Sequence, residues 1–405
     1  MTTVDILITH AFITGESETK IWGLTGRERL KRMLTAFKQF RVVDDPVQLP
    51  EQAPAIILRG DHLFDASILS ALGKIENDCL LISDEGQPVA MRISDNVLHA
   101  LTDFKNGSAG HPCANLPRYT LKDLNLLDLR QNLKKRDRPY VLAIREENRR
   151  ALESELFTRS YKGVTDLVTK WLWPVPAYWT ALFCVRFGLQ PNHVTLLSLL
   201  FAVLAGVAFW YGFYGIGLVM GWLMTFLDTV DGKLARVTVT SSRIGDVLDH
   251  GLDIIHPPLW YIAWAAGLPT TPAWMPDMPV FIALILAGYV GGRLCEGMFQ
   301  FWIASFDIFI WRPIDSFSRL ITARRNPNLI LLTLGWVTGR PDMGLWAVVI
   351  WHLLSTAFLA LRVAMGWRER RARGPLRSWF EGIVPGRDDG KLAVRIFVPV
   401  VVKVK

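Results

Sequence analysis

Cysteine is scarce in this chain. There are four in 405 residues, at Cys79, Cys113, Cys184 and Cys295, and none stands in metal-ligand spacing. That excludes a disulfide framework and a thiolate zinc centre. No cationic stretch followed by an apolar core opens the sequence, so a secretory leader is not expected. A Gly-rich phosphate loop is missing from the first βα turn. Its expected place, His10-Ala11-Phe12-Ile13-Thr14-Gly15-Glu16-Ser17-Glu18, holds one glycine and two acids. Such a segment is a poor cradle for a polyphosphate, which needs a run of inward-pointing backbone N–H groups.

Apolar residues are abundant, at 51% of the chain, and the mean hydropathy is +0.25. They are unevenly spread. Residues before about 165 have the mixed charge of a soluble protein, and those after about 190 form long apolar blocks. The formal net charge is +8. Its basic clusters, Lys134-Lys135-Arg136, Arg324-Arg325 and Arg368 to Arg377, lie beside apolar segments. That placement favours anionic lipid headgroups over nucleic acid as the partner.

The pattern along the chain predicts an α/β soluble domain over residues 1–140. Its first strand is expected at 4–9 and an amphipathic helix from Arg27 to Phe40. A strand over Ala55 to Leu58 runs into Asp61-His62, which reads as strand-end polar residues at a helix cap rather than as a metal site. Asp65 to Leu72 reads as a helix, and Cys79 to Ile82 with Val89 to Ile93 as a hairpin around Asp84-Glu85-Gly86. Connecting and interfacial helices fill 141–190. The first covers Glu146 to Phe157. The second, Asp166 to Phe187, is rich in Trp and broken by Pro174 and Pro176, as suits a helix lying on a membrane. An α-helical integral membrane domain follows over 191–367, with six transmembrane helices near 193–212, 214–236, 245–266, 279–303, 327–340 and 343–366. A basic cytoplasmic tail covers 368–405. The charge bias places both termini and the loop 237–244 on the cytoplasmic side of the inner (cytoplasmic) membrane.

Four carboxylates sit inside these apolar blocks. Asp228 and Asp231 are three apart, and Asp249 and Asp253 four apart, so each pair shares a helix face. An ionised aspartate at membrane depth is costly and marks function. Oxygen-only ligands point to Mg²⁺ or Mn²⁺, with charge enough for two ions. A cation transporter also uses intramembrane acids, but these cluster at one face instead of lining a path. A prenyltransferase pairs aspartates too, without the Gly-x-x-Ala-Arg found here. An inactive membrane scaffold would have no use for intact acids.

The run Asp228, Asp231, Gly232, Ala235, Arg236, Gly245, Asp249, Asp253 resembles the signature D-x2-D-G-x2-A-R-x8-G-x3-D-x3-D of the CDP-alcohol phosphotransferases. The resemblance covers about Pro191 to Trp367. It implies transfer of a substituted phosphate, such as phosphatidyl, from a CDP-linked donor to an acceptor hydroxyl, with CMP released. The setting would be phospholipid or polyol-phosphate synthesis. It further implies Asp228, Asp231, Asp249 and Asp253 as metal ligands and Asp253 as the base. Gly232, Ala235, Arg236, Gly245 and Thr195 would contact the donor, Thr195 belonging to a Pro-Asn-x-Val-Thr run these enzymes often show. Arg293, Arg324 and Arg325 are candidate acceptor contacts, although Arg293 with Glu296 and Arg324-Arg325 have structural readings as well. His250 and His256, which flank the acids, read as packed structural histidines. Members of the family are commonly homodimers. The N-terminal part is similar to the nucleotidyltransferase-like domain fused to some of them, in Arg27-Glu28-Arg29-Leu30 and Asp61-His62. That likeness leans toward inositol phosphate as acceptor. Lacking the phosphate loop, the domain is expected to be non-catalytic.

Overall fold

The computed structural model describes residues 9–49, 53–106, 116–124, 126, 129–240, 243–269, 277–384 and 386–398. The N-terminal unit is a mixed sheet with helices on both faces. Its strands are β1 (Thr9–Thr14), β2 (Phe40–Val43), β3 (Ala55–Arg59), β4 (His62–Phe64), β5 (Cys79–Ile82), β6 (Pro88–Ile93) and β7 (Arg118–Tyr119). Six of them form one sheet in the order β2-β1-β3-β6-β5-β7. β1 runs parallel to both neighbours, and β6 lies antiparallel between β3 and β5. Alternation along β1 and β3 sends Ala11, Ile13, Ile56 and Leu58 to one face, and Phe12, Ala55 and Ile57 to the other. The first face is covered by α1 (Gly26–Ala36) and α2 (Ala66–Leu72), through Leu30, Leu34, Ile68 and Leu72. The second is covered by α3 (Val97–Asn106), through Val97, Ala100, Leu101 and Phe104. Successive strand residues point to opposite faces, so a sheet buried on both sides needs runs as apolar as Ala-Ile-Ile-Leu.

Two short strands follow, β8 (Leu129–Arg130) and β9 (Lys135–Arg136), and then β10 (Val141–Ala143). β10 pairs antiparallel with β4, so residues 141–143 complete the N-terminal unit. Next come α4 (Arg149–Arg159) and α5 (Pro174–Arg186). Six helices then occupy the places expected of the six spans: α6 (Pro191–Trp210), α7 (Tyr214–Val237), α8 (Arg243–Ala266), α9 (Met278–Met298), α11 (Arg325–Val337) and α12 (Pro341–Arg373). Between α9 and α11 lies α10 (Pro313–Ile321), and α13 (Leu392–Phe397) closes the chain. Among the described residues, three helices are long and apolar enough to cross a membrane: Pro191–Trp210, Met278–Ile303 and Pro341–Arg373. α7 and α8 carry the charges of the acidic motif at one end. α11 has 13 residues, about 20 Å of helix against a hydrocarbon core of about 30 Å.

The bundle core joins Ala202, Ala205 and Phe209 of α6 to Tyr214, Leu218 and Met224 of α7 and to Trp260, Tyr261 and Trp264 of α8. Its polar tips are satisfied inside. The Trp260 indole donates to the Ala202 carbonyl at 2.8 Å, and the Trp264 indole to Pro341 O at 3.0 Å. Pro257 and Pro258 lie inside α8. Proline has no N–H for the carbonyl four residues back, and the Tyr289 hydroxyl donates to the Ile254 carbonyl so released, at 2.9 Å.

Four expectations need correcting. Thr9–Thr14 is a strand, so His10–Thr14 belongs to β1 and the loop after it starts at Gly15; residues 4–8 lie outside the described residues. The first helix ends at Ala36 rather than Phe40, because the Phe37 N–H turns back to Leu34 O and Phe40 opens β2. Asp61 and His62 do not cap a helix. His62 is in β4, Asp61 binds Arg59 and His62 Nδ1 (2.7 Å), and the α2 cap is Asp65. Of the two prolines in the expected interfacial helix only Pro174 marks a break, and Pro176 lies in the first turn of α5. A π-helical turn over Val168–Leu172 precedes them, and Pro174 starts α5, where a missing N–H costs nothing.

Candidate active site

The acidic motif begins in the last turns of α7. Asp231 is 5% exposed. The Thr195 hydroxyl, one turn into α6, lies 2.7 Å from Asp231 Oδ2 and 3.1 Å from Pro191 O. One turn earlier on α7, Asp228 accepts from Arg325 Nη2 at 2.6 Å. Arg325 opens α11, so two elements distant in sequence meet α7 at successive turns. Gly232 faces the Arg236 guanidinium: a Cβ there would stand 3.2 Å from Arg236 Nη2. Lys233 is buried, with its ammonium 4.1 Å from the Tyr161 ring centroid.

Ala235 lies on the same helix, one turn on from Asp231. Gly245, Asp249 and Asp253 lie on the backbone of α8, as does His250, and their side chains fall outside the described residues. His256 is buried with its ring 4.8 Å from that of Trp260, as a packed histidine would be. Among the described residues no three His, Cys, Asp or Glu side chains form a metal-binding group.

The expected acceptor residues separate into two places. Arg325 belongs to the acidic site through Asp228. Arg293 and Arg324 converge on Glu296, Arg293 at 3.7 Å and Arg324 in direct contact. All three line a small pocket with His352, Ser355 and Thr356.

Three arrangements escaped the sequence reading. Asn326 donates to Asp166 Oδ1 at 2.9 Å, and Asp166 also accepts from the Val168 and Thr169 N–H groups. Burial alone would raise the Asp166 carboxyl. Arg319 and the bonds from Thr169 and Asn326 outweigh it and hold the group below its ordinary value. Asn328 Nδ2 lies 2.6 Å from Tyr261 Oη and 2.8 Å from His352 Nε2, tying α11 to α8 and α12. Arg29, of the N-terminal unit, donates to the last carbonyl of α7, Val237 O, and Arg32 to Thr238 O at 2.9 Å. The one sequence signal for the first two was Asn326-Pro327-Asn328, polar residues opening an apolar helix.

Residues 189–309 match the CDP-alcohol phosphatidyltransferase family. Cholinephosphotransferase 1 of Xenopus laevis is 33% identical over 155 residues, 34% of this chain and 34% of that protein. The Homo sapiens cholinephosphotransferase 1 is 27% identical over 152 residues, again 34% of each chain. An uncharacterized CDP-alcohol phosphatidyltransferase class-I family protein of Schizosaccharomyces pombe is 30% identical over 126 residues, 27% of this chain and 31% of its own. The chain thus spans about a third of the length of the curated relatives it matches. The family segment runs from just before α6 through α8 and α9, and so contains Thr195 and the whole acidic motif.

Proposed function

We propose that this chain is a membrane transferase that moves a substituted phosphate from a CDP-linked alcohol to an acceptor hydroxyl, releasing CMP. The observation that carries it is the buried Asp231, held by the Thr195 hydroxyl inside the segment that matches the family. A buried carboxylate between helices is costly unless it is used or compensated.

The donor set suits Mg²⁺ or Mn²⁺. Asp228 and Asp231 offer hard oxygen ligands, and sequence spacing adds Asp249 and Asp253 from the next helix. When bound, the metal would neutralise the donor diphosphate and polarise the transferred phosphoryl group. The protein groups do the rest. Thr195 fixes the Asp231 carboxylate, and Arg325 fixes Asp228. The small face at Gly232 and Ala235 admits a nucleotide close to the helix, with Arg236 beside its phosphates. Asp253, a turn deeper than Asp249, takes the acceptor proton.

Six spans with both termini and the motif cytoplasmic remain our reading of the topology, with a homodimer as the assembly. The N-terminal unit is read as a nucleotidyltransferase-like fold without catalysis. The name cholinephosphotransferase, carried by relatives, favours choline phosphate as the group transferred, against the inositol phosphate chemistry that the N-terminal likeness favours.

The test is a donor–acceptor matrix on the purified full chain. CDP-choline, CDP-ethanolamine and CDP-diacylglycerol would each be paired with diacylglycerol, glycerol phosphate and inositol phosphate, and CMP measured by mass spectrometry. Metal-dependent CMP release with one matched pair is expected. CMP release from none, with metal present, would exclude the transferase.

A further inference from the structure

The groove between α4 and α5 is not part of the acidic site. It measures about 410 Å³, and its lining brings Lys135, Lys162 and Lys170 together with Trp171, Val175 and Trp179. Among the described residues no carboxylate lines it. Lys135 is paired with Asp137 at 3.0 Å. Lys162 is exposed, and Lys170 donates to Gly163 O at 2.9 Å. Burial with no opposing acid lowers the Lys170 ammonium to about 8. Between the lysines stands Tyr161, whose buried hydroxyl has no hydrogen-bond partner among the described residues.

From this cationic end an apolar stripe runs along one face. Trp171, Val175, Trp179, Phe183 and Phe187 recur every four residues and are 58%, 68%, 66%, 53% and 62% exposed. Residues four apart are neighbours on a helix, so Val175, Trp179 and Phe183 of α5 make a stripe about 12 Å long at 1.5 Å per residue, which Trp171 of the preceding π-helical turn and Phe187 at the C-cap extend. The opposite face, Ala177, Ala181 and Cys184, is buried against Val230 and Leu234 of the motif helix. A helix packed on one side and presenting tryptophan and phenylalanine on the other lies in a membrane interface.

We infer that this groove binds one anionic phospholipid, its phosphate at Lys162, Lys170 and the Tyr161 hydroxyl, and an acyl chain along Trp171, Val175 and Trp179. Charge complementarity selects an anion, and the stripe selects a lipid over a free phosphate. A zwitterionic lipid would bring its own cation to the lysines. The groove adjoins the motif helix, since the Lys233 ammonium stands 4.1 Å from the Tyr161 ring centroid.

Native mass spectrometry of the full chain in mild detergent, titrated with phosphatidylglycerol or with phosphatidylcholine of the same acyl chains, tests this without reference to catalysis. One saturable phosphatidylglycerol adduct is expected. Each basic residue near a membrane surface contributes about fivefold in affinity. Lys162→Ala, at an exposed position, should therefore weaken that adduct about fivefold, and adding Lys170→Ala about as much again. Lys170→Arg should retain it, and Trp171→Ala with Trp179→Ala should weaken it. Equal retention of phosphatidylcholine, or wild-type affinity in Lys162→Ala, would overturn the site. Displacement of the adduct by millimolar inorganic phosphate would reassign it to a free anion and overturn the lipid.

Discussion

The Thr195–Asp231 hydrogen bond is the most testable contact at the acidic site, because a single hydroxyl can be removed without changing side-chain volume. Thr195→Val deletes the donor and leaves the Asp231 carboxylate buried beside a methyl group. A hydrogen bond to a charged group contributes about 1.5–3 kcal/mol, so kcat/KM should fall by at least about tenfold. Thr195→Ser keeps the hydroxyl and should restore most of it. Steady-state CMP release across the three proteins measures this, and equal rates for Val and Ser would show that the bond is irrelevant to turnover. The acids themselves separate by role. Asp228→Asn and Asp249→Asn should weaken metal binding and recover in part at high Mg²⁺. Asp253→Asn should keep donor affinity and lose about 10²–10⁴-fold in kcat, as expected for a general base. Metal rescue of Asp253→Asn to the same degree would make Asp253 a ligand. The placing of Asp228 and Asp231 on successive turns was legible in the sequence because fixed spacing on a helix converts directly into shared faces, whereas Thr195 was singled out only through the resemblance of its Pro-Asn-x-Val-Thr run. The partners that reach them were less so. Arg325 was visible as a charge at a helix mouth, but its meeting with Asp228 depends on how α11 packs on α7, which no local pattern encodes.

At the scale of elements, the motif helix ends against the N-terminal unit. The last carbonyls of a helix lack internal partners and carry its negative dipole end. Here Arg29 and Arg32 of α1 supply the donors, to Val237 O and Thr238 O. Arg29 is 5% exposed, and burial lowers it to about 10, so it stays charged at neutral pH. Ile21, Trp22 and Leu63 pack in the same cluster as Val230, Leu234 and Val237. The domain that lacks a phosphate loop therefore clamps the helix that bears the acids. Arg29→Ala should leave helix content by circular dichroism unchanged while kcat falls about tenfold, the loss of one charge-assisted bond. Full activity in that variant would show that the clamp does not position the motif. The α/β class and most strand and helix positions of this domain followed from apolar runs, while the Thr25–Glu28 capping box that starts α1 went unread. The position of β1 did not follow, since Thr9–Thr14 and the apolar run before it fit a strand equally well by alternation. Pro174 does mark a break, but Pro176, read as a second one, sits in the first helical turn, where proline is tolerated. The sequence shows both prolines but not which of them the first helical turn absorbs.

Across the whole molecule, the two halves are joined by polar contacts that no sequence pattern announced. Lys134, in the turn between β8 and β9, pairs with Asp307 beyond α9 at 2.6 Å. Arg136 donates to Ile383 O in the C-terminal segment, which packs Phe380, Val394 and Phe397 against Phe309 and Trp311. The region expected to be a basic tail is thus partly a packed strap. Asp307 is mostly buried, and burial alone would raise its carboxyl. The Lys134 charge and the Phe309 N–H outweigh that and hold it below its ordinary value. A carboxyl depressed in the folded state stabilises fully above its unfolded pKa of about 3.9 and loses that contribution as pH falls through the folded value. Asp307→Asn removes the charge at every pH and strands Lys134 in a buried setting, a change of about 1–3 kcal/mol. The variant should therefore unfold at lower temperature than wild type at pH 7. The gap should persist down to about pH 4 and close below it, where wild-type Asp307 becomes protonated too. Intrinsic tryptophan fluorescence during thermal melts of both detergent-solubilised proteins, from pH 7 down to pH 3, reads that gap. A difference that stayed constant to the lowest pH would mean that Asp307 acts by its shape rather than its charge, and the ion pair would not be what ties the halves together.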